Sequence, residues 1–260
     1  MTPTHASGSS DQRSAAEPLV DISGVRNVTE LLAARFATAP DHIAFETRVP
    51  GAALNEPWRQ ISTREFMEEV AGAAKGLMAS GVNAGDTILI MSPTQYRWTV
   101  ADFAALFAGA VVVPVYDTAS DAQLQAILAD ARPTAAFAGD TSLARRISRA
   151  AAGAVEAPPS VWVLEASDPE DDGPACYSLD DLIHLGEAVS DARLEERRLT
   201  AQLDDIATIV YTSGTTGSPK GALITHRNLV GQVLNAAAAY REVVKETGNT
   251  ILFLPLTHVL

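Results

Sequence analysis

The residues best suited to chemistry lie together after Tyr211, in the run Thr212-Ser213-Gly214-Thr215-Thr216-Gly217-Ser218-Pro219-Lys220-Gly221. Glycines let a backbone approach a ligand closely and turn successive N–H groups inward, which makes a nest for anions. Hydroxyls donate to phosphate oxygens or ligate Mg²⁺, and the Lys220 ammonium adds a point charge. The set suits a polyphosphate. A Ser/Gly surface loop has a similar composition, so the flanks matter. Ile206 to Tyr211 and Ala222 to Thr225 are both β-rich, and a surface linker is not pinned between buried strands.

A second anion-binding pattern fails. In the phosphate loop G-x-x-x-x-G-K-[ST], aligning Gly214 as the first glycine puts Pro219 where the second must be. Gly221 then stands where Ser or Thr is required. Proline has no N–H to donate, and its fixed φ does not suit the turn.

The chain as a whole opposes an anion. Its 19 Lys+Arg against 32 Asp+Glu leave a net charge of −13. That argues against tracking a nucleic-acid backbone and against an anionic membrane surface. A polyanion must be held by local geometry, through charged hydrogen bonds worth roughly 1.5–3 kcal/mol each. The 260 residues, 47% apolar, suffice for a core and fit one large or two small domains. Cys176 is the only cysteine, so no intrachain disulfide forms, which fits a reducing compartment. No His lies near it in sequence, and no Cys/His cluster has zinc-ligand spacing. Residues 1–18 lack an apolar segment, which speaks against a secretory signal and for a disordered tail. The stretch from Phe103 to Tyr116 is too short to span a bilayer and is broken by Gly109 and Pro114.

The elements that must carry the glycine-rich run follow from periodicity. Structure is expected to begin near Asn27, where Asn27-Val28-Thr29-Glu30 has capping-box spacing, and the helix to stop before Pro40. His42 to Val49 reads as a strand and Pro50-Gly51 as a turn. Ser62-Thr63-Arg64-Glu65 is a second capping box, with Phe66, Val70, Ala74, Leu77 and Met78 on one helical face and Gly81 as the stop. Strands at 87–91, 111–115 and 134–138 then alternate with helices at 94–108, 120–131 and 141–152. That order implies βαβ units and an α/β fold whose mainly parallel sheet is covered by helices on both faces. Residues 153–160 read as a connection, 168–173 as an acidic loop, and 178–187 and 189–200 as helices.

The run Thr212 to Gly221 resembles the phosphate-loop signature of the AMP-forming acyl-CoA synthetase (adenylate-forming ligase) superfamily. Thr225-His226-Arg227-Asn228-Leu229 is similar to the strand-to-helix step that follows it, with Thr225 as N-cap. Phe253-Leu254-Pro255-Leu256-Thr257-His258 is similar to the next core motif, a strand ending in a proline turn and a histidine. Val113-Pro114-Val115-Tyr116-Asp117-Thr118 resembles the long-chain fatty acyl branch. The resemblance covers about residues 27–260.

That resemblance implies a layered α/β large domain, with residues 19–260 as its incomplete N-terminal part. It implies ATP-dependent activation of a fatty acid to an acyl-adenylate, then thioester formation with CoA. ATP and Mg²⁺ are the implied cofactors and CoA the co-substrate. Thr212, Ser213, Gly214, Thr215, Thr216, Gly217 and Lys220 would hold the nucleotide, Thr212 would also meet Mg²⁺, and His258 would be catalytic beside the acyl carboxylate. His226 is expected to start a helix, and His42 and His184 to be structural. Family members continue past the equivalent of Leu260, so the expectation is a piece lacking the C-terminal half and the mobile lid, inactive by itself. The implied protein is cytoplasmic, binds small molecules and no nucleic acid, and makes at most peripheral membrane contact. The alternative is a non-catalytic truncated protein or scaffold with a relic nucleotide loop.

Overall fold

The computed structural model describes residues 18–48, 53, 55–165, 177–212, 219–245, 248–252 and 254–257. Residues 1–17 of the expected tail, the Pro50-Gly51 turn, the 168–173 loop and Cys176 lie outside the described residues. In chain order the elements are α1 (Thr29–Thr38), β1 (Ile43–Thr47), β2 (Arg59–Ser62), α2 (Thr63–Ala79), β3 (Thr87–Met91), α3 (Tyr96–Phe107), β4 (Val111–Val115), α4 (Asp121–Ala131) and β5 (Ala135–Ala138). They continue with α5 (Thr141–Ala151), β6 (Ser160–Val163), β7 (Tyr177–Ser178), α6 (Leu179–Leu185), α7 (Asp191–Arg198), β8 (Ile206–Thr212), β9 (Lys220–Thr225) and α8 (His226–Ala239).

Seven strands form one sheet in the order β7-β6-β5-β3-β4-β8-β9. Neighbours run parallel except β8 and β9, which are antiparallel. The alternation of side chains divides the core into two layers. Ile88, Ile90, Val112 and Phe137 face one cluster with α2, α3 and α6. Leu89, Met91, Val113 and Val115 face the other, with α4 and α5. The mainly parallel, doubly covered sheet expected from the sequence is the observed architecture.

Local chemistry sets the helix ends. Glu65 N–H donates to Ser62 Oγ at 3.1 Å while Ser62 N–H donates to the Glu65 carboxylate at 2.8 Å, closing the capping box of α2. Past its end, Gly81 takes φ +98°, a region open to glycine at little cost. At α1 the box is displaced. Asn27 Oδ1 accepts from Thr29 N–H, but the Glu30 carboxylate accepts from Arg26 N–H instead of Asn27. The Asn27 amide is drawn elsewhere, donating to the carbonyls of Arg198 and Ala201 at 3.0 Å each.

Three strands are not legible in the sequence: β2, β6 and β7. In the other direction, residues 251–252 and 254–257 belong to no strand, and Ile251, Leu252 and Leu254 stand exposed. The strand expected to end at Pro255 has no ladder partner among the described residues, and a strand without one leaves its backbone groups to solvent.

Candidate functional site

β8 and β9 form an antiparallel hairpin whose last register pairs are Tyr211↔Gly221 and Thr212↔Lys220. The ladder therefore extends to both ends of the glycine-rich run, and two of the expected site residues, Thr212 and Lys220, stand opposite each other and exposed. Ser213, Gly214, Thr215, Thr216 and Gly217 lie outside the described residues, as does His258. No ion pair or hydrogen bond of the Lys220 side chain occurs among the described residues.

The hairpin end sits beside the carboxyl end of β4, since β4 and β8 run parallel with Val112 paired to Thr208. Ligand crevices in open α/β sheets form at such carboxyl edges. Thr208 Oγ1 donates to the Val112 carbonyl at 3.0 Å, which pins the strand. A β-bulge lies between Ile206 and Thr208. Ala207 faces the α2–α3 cluster, whereas Ile209 and Tyr211 pack against the α4–α5 cluster. The extra residue accounts for the change of face. Tyr211 thereby points to α4, where its hydroxyl donates to Asp130 Oδ2 at 2.5 Å. Burial, with the Asp130 carboxylate beside it, pushes the Tyr211 phenol well above the usual range, so it remains a neutral donor.

A cavity of about 260 Å³ opens at this place, bordered by Tyr116, Thr118, Gln123, Tyr211, Thr212 and Pro219. A second depression, of about 390 Å³, lies at the other end of β8 between Arg26 and Arg227. Its cations are engaged: Arg227 grips Asp204 through two hydrogen bonds of 2.6 and 2.9 Å, and Arg26 reaches the Leu199 carbonyl. Only the first depression adjoins the glycine-rich run.

The 254–257 segment comes to the same edge of the sheet. Thr94, in the turn after β3, donates through Oγ1 to the Leu254 carbonyl at 3.0 Å and accepts from Leu256 N–H at 3.2 Å. Gln95 Oε1 and Thr257 Oγ1, from the two clamped segments, are buried without a hydrogen-bond partner among the described residues. Sequence reasoning missed Thr94, Asp130 and the Tyr211 contact, because each depends on a partner far along the chain. Gln123 and Thr118 were missed too, although the end of an apolar strand at Val115 marks where a crevice can open.

His226, the first residue of α8, is 2% exposed, and its Nδ1 accepts from Val28 N–H at 3.4 Å. Burial holds its imidazole below the ordinary value, against the raising influence of Asp205. It is a structural helix-start residue, as expected. Thr225 caps α8, its Oγ1 accepting from Asn228 N–H at 3.3 Å.

No group of three or more His, Cys, Asp or Glu side chains able to hold a metal ion occurs among the described residues. Mg²⁺ keeps water and phosphate ligands and needs few from protein, and among the described residues the exposed Thr212 stands opposite the exposed Lys220, a pair that fits a cation arriving on phosphates. Among the described residues no helix is long and apolar enough to cross a membrane.

Comparison with known proteins gives a family model described as "AMP-binding enzyme", which matches residues 32–260. The long-chain-fatty-acid–CoA ligase FadD15 of Mycobacterium bovis is 35% identical over 221 residues, covering 85% of this chain and 35% of that protein. The chain thus spans about a third of that relative's length. Among solved structures, a long-chain-fatty-acid–CoA ligase, FadD1, from Archaeoglobus fulgidus is similar with a TM-score of 0.65 and 21% identity. It is matched over 83% of this chain and 40% of its own. The inhibitor-bound N-terminal domain of FACL13 from Mycobacterium tuberculosis gives 0.64 and 22%, over 90% of this chain and 52% of that one. These two likenesses concern the fold.

Proposed function

The chain belongs to the AMP-binding enzyme family, and from that premise we propose that it carries the phosphate-binding part of a fatty-acid–CoA ligase. The whole protein would join ATP and a long-chain fatty acid to an acyl-adenylate, release pyrophosphate, and pass the acyl group to CoA. The observation that carries the reading is the Thr212↔Lys220 pair at the carboxyl edge of a parallel sheet, flanking a Gly/Ser/Thr run and a cavity. The 35% identical ligase supports the fatty acyl substrate class.

Carboxylate attack on the α-phosphorus needs alignment and charge stabilisation more than proton transfer. In this proposal Thr212, Ser213, Gly214, Thr215, Thr216, Gly217 and Lys220 hold the β- and γ-phosphates, and Mg²⁺ would offset their charge. Lys220 stabilises the departing pyrophosphate, and His258 borders the acyl carboxylate. Residues 19–260 are the incomplete N-terminal domain, inactive by themselves, and a reducing cytoplasm is the compartment this reading takes, supported by the single cysteine. Incubating the native polypeptide that contains this chain with Mg-ATP and palmitate tests the mechanism. AMP and pyrophosphate are the expected products. Production of ADP and phosphate alone would overturn adenylation.

A further inference from the structure

We propose that Asp130, on α4, is a positioning residue for the phosphate-binding hairpin: its carboxylate fixes Tyr211 and through it the Thr212–Lys220 pair, an inference that rests on the reading of the hairpin given above. The contact joins residues 81 positions apart, with Tyr211 Oη donating to Asp130 Oδ2 at 2.5 Å. Tyr211 directly precedes Thr212 and stands opposite Gly221, which directly follows Lys220. Any shift of the Tyr211 ring is passed to both ends of the glycine-rich run.

The ring is confined on two sides. A Cβ placed on Gly221 would stand 3.3 Å from Tyr211 Cζ and 2.7 Å from Ile209 Cγ2, so β9 closes tightly over these side chains. The far tip of the ring meets α4. Backbone pairing alone does not secure this end of the hairpin, because the β4–β8 ladder is registered at Val112↔Thr208, well short of Thr212. Beyond that pair, the Tyr211–Asp130 bond ties the hairpin to the neighbouring layer. Gln123 of α4 borders the same cavity as Thr212 and Tyr211, so α4 is also one wall of the site. A carboxylate suits the task because it only accepts, and it takes the one proton that the neutral Tyr211 phenol can donate.

The test uses the native polypeptide that contains this chain in five forms: wild type, Tyr211→Phe, Asp130→Ala, the double variant, and Asp130→Asn as the conservative case. Amide exchange is read at Thr212, Lys220 and Gly221, with Leu89 as the core reference, and magnesium pyrophosphate is the binding probe. Each single variant should speed exchange at the hairpin about fivefold, a hydrogen bond to an exposed carboxylate being modest in strength. Leu89 should be unchanged, the double variant should be no worse than either single, and Asp130→Asn should retain part of the effect through its amide oxygen. Pyrophosphate affinity should fall by a similar factor. Additive losses in the double variant, or hairpin exchange equal to wild type, overturn the proposal. If wild type shows coupled exchange but no pyrophosphate binding, the positioning role stands and the phosphate reading falls. Should Asp130→Ala not fold, the Asp130→Asn and Tyr211→Phe pair still decides.

Discussion

Thr94 holds Leu254 across 160 residues of chain through a single hydroxyl that also accepts from Leu256 N–H. One side chain thus satisfies a backbone acceptor and a backbone donor in a segment that has no ladder partner among the described residues. Thr94→Val keeps the shape and removes both bonds. It should leave the unfolding midpoint within a few degrees, since the segment is largely exposed. Faster amide exchange at Leu256, with Leu89 unchanged, is the expected signature by hydrogen-exchange mass spectrometry. Unaltered exchange at Leu256 would show that other contacts hold the turn.

Lys220→Ala and Thr216→Ala remove a charge and a hydroxyl proposed to meet the departing phosphates. Losing one charged hydrogen bond of roughly 1.5–3 kcal/mol predicts a ten- to hundredfold fall in kcat/KM for ATP in the intact ligase. The half-reaction of preformed acyl-adenylate with CoA should change far less, because pyrophosphate has already left. Equal losses in the two half-reactions would remove both residues from the phosphate site.

Gly221→Ala places a methyl group 2.7 Å from Ile209 Cγ2. Overpacking of this kind costs about 1–3 kcal/mol. Urea unfolding should show a lower midpoint at unchanged slope, and the disturbed Tyr211 should appear as altered tyrosine fluorescence. A midpoint equal to wild type would mean that the hairpin yields without strain.

His226 gives stability a definite pH slope. Burial keeps its folded pKa below the ordinary 6.5, so near and below that pH the unfolded chain binds more protons than the folded one. Its contribution is complete above pH 6.5 and is lost as pH falls towards the folded value. Protonation also removes the Nδ1 lone pair that accepts from Val28 N–H. Measured by thermal unfolding between pH 8 and pH 5, His226→Gln should lose less stability than wild type across that window. Parallel curves would assign the slope to other groups.

Asp102 acts in the opposite sense. A part of the residue reaches solvent, yet burial of its carboxyl raises it to about 7 from an ordinary 3.8. Between those values the folded chain holds a proton that the unfolded chain has released, so stability declines as pH rises from 4 to 7. Asp102→Asn should therefore raise the unfolding temperature at pH 8 and leave it unchanged at pH 4. A loss at pH 8 would show that the carboxylate makes a favourable contact.

The two layers were legible in the sequence because strands such as Val111–Val115 are apolar throughout and alternate with capped amphipathic helices. Ser62 and Thr225 announced helix starts for a local reason, the reach of a side chain over three residues. What stayed hidden depends on distant partners. Arg59–Ser62 is too polar to read as a strand and exists because β1 lies beside it. Ser160–Val163 follows two prolines and is short, and its pairing with β5 makes it a strand. At the site, composition singled out Thr212 and Lys220. It could not indicate Asp130, whose relation to Tyr211 is set by how α4 packs on the sheet.

The bulge at Ala207 makes the hairpin depend on a count. One inserted position exchanges odd for even along the rest of β8, and the Tyr211 side chain emerges towards α4 because of that parity. Substitutions there can preserve the arrangement, since backbone length and not side-chain identity carries the information. Deleting a single position between Ile206 and Thr208 would leave every chemical group in the chain downstream of it and turn each side chain of the strand to the wrong layer. For this hairpin the frame in which residues are dealt to the two faces is set by backbone length, which residue types alone do not reveal.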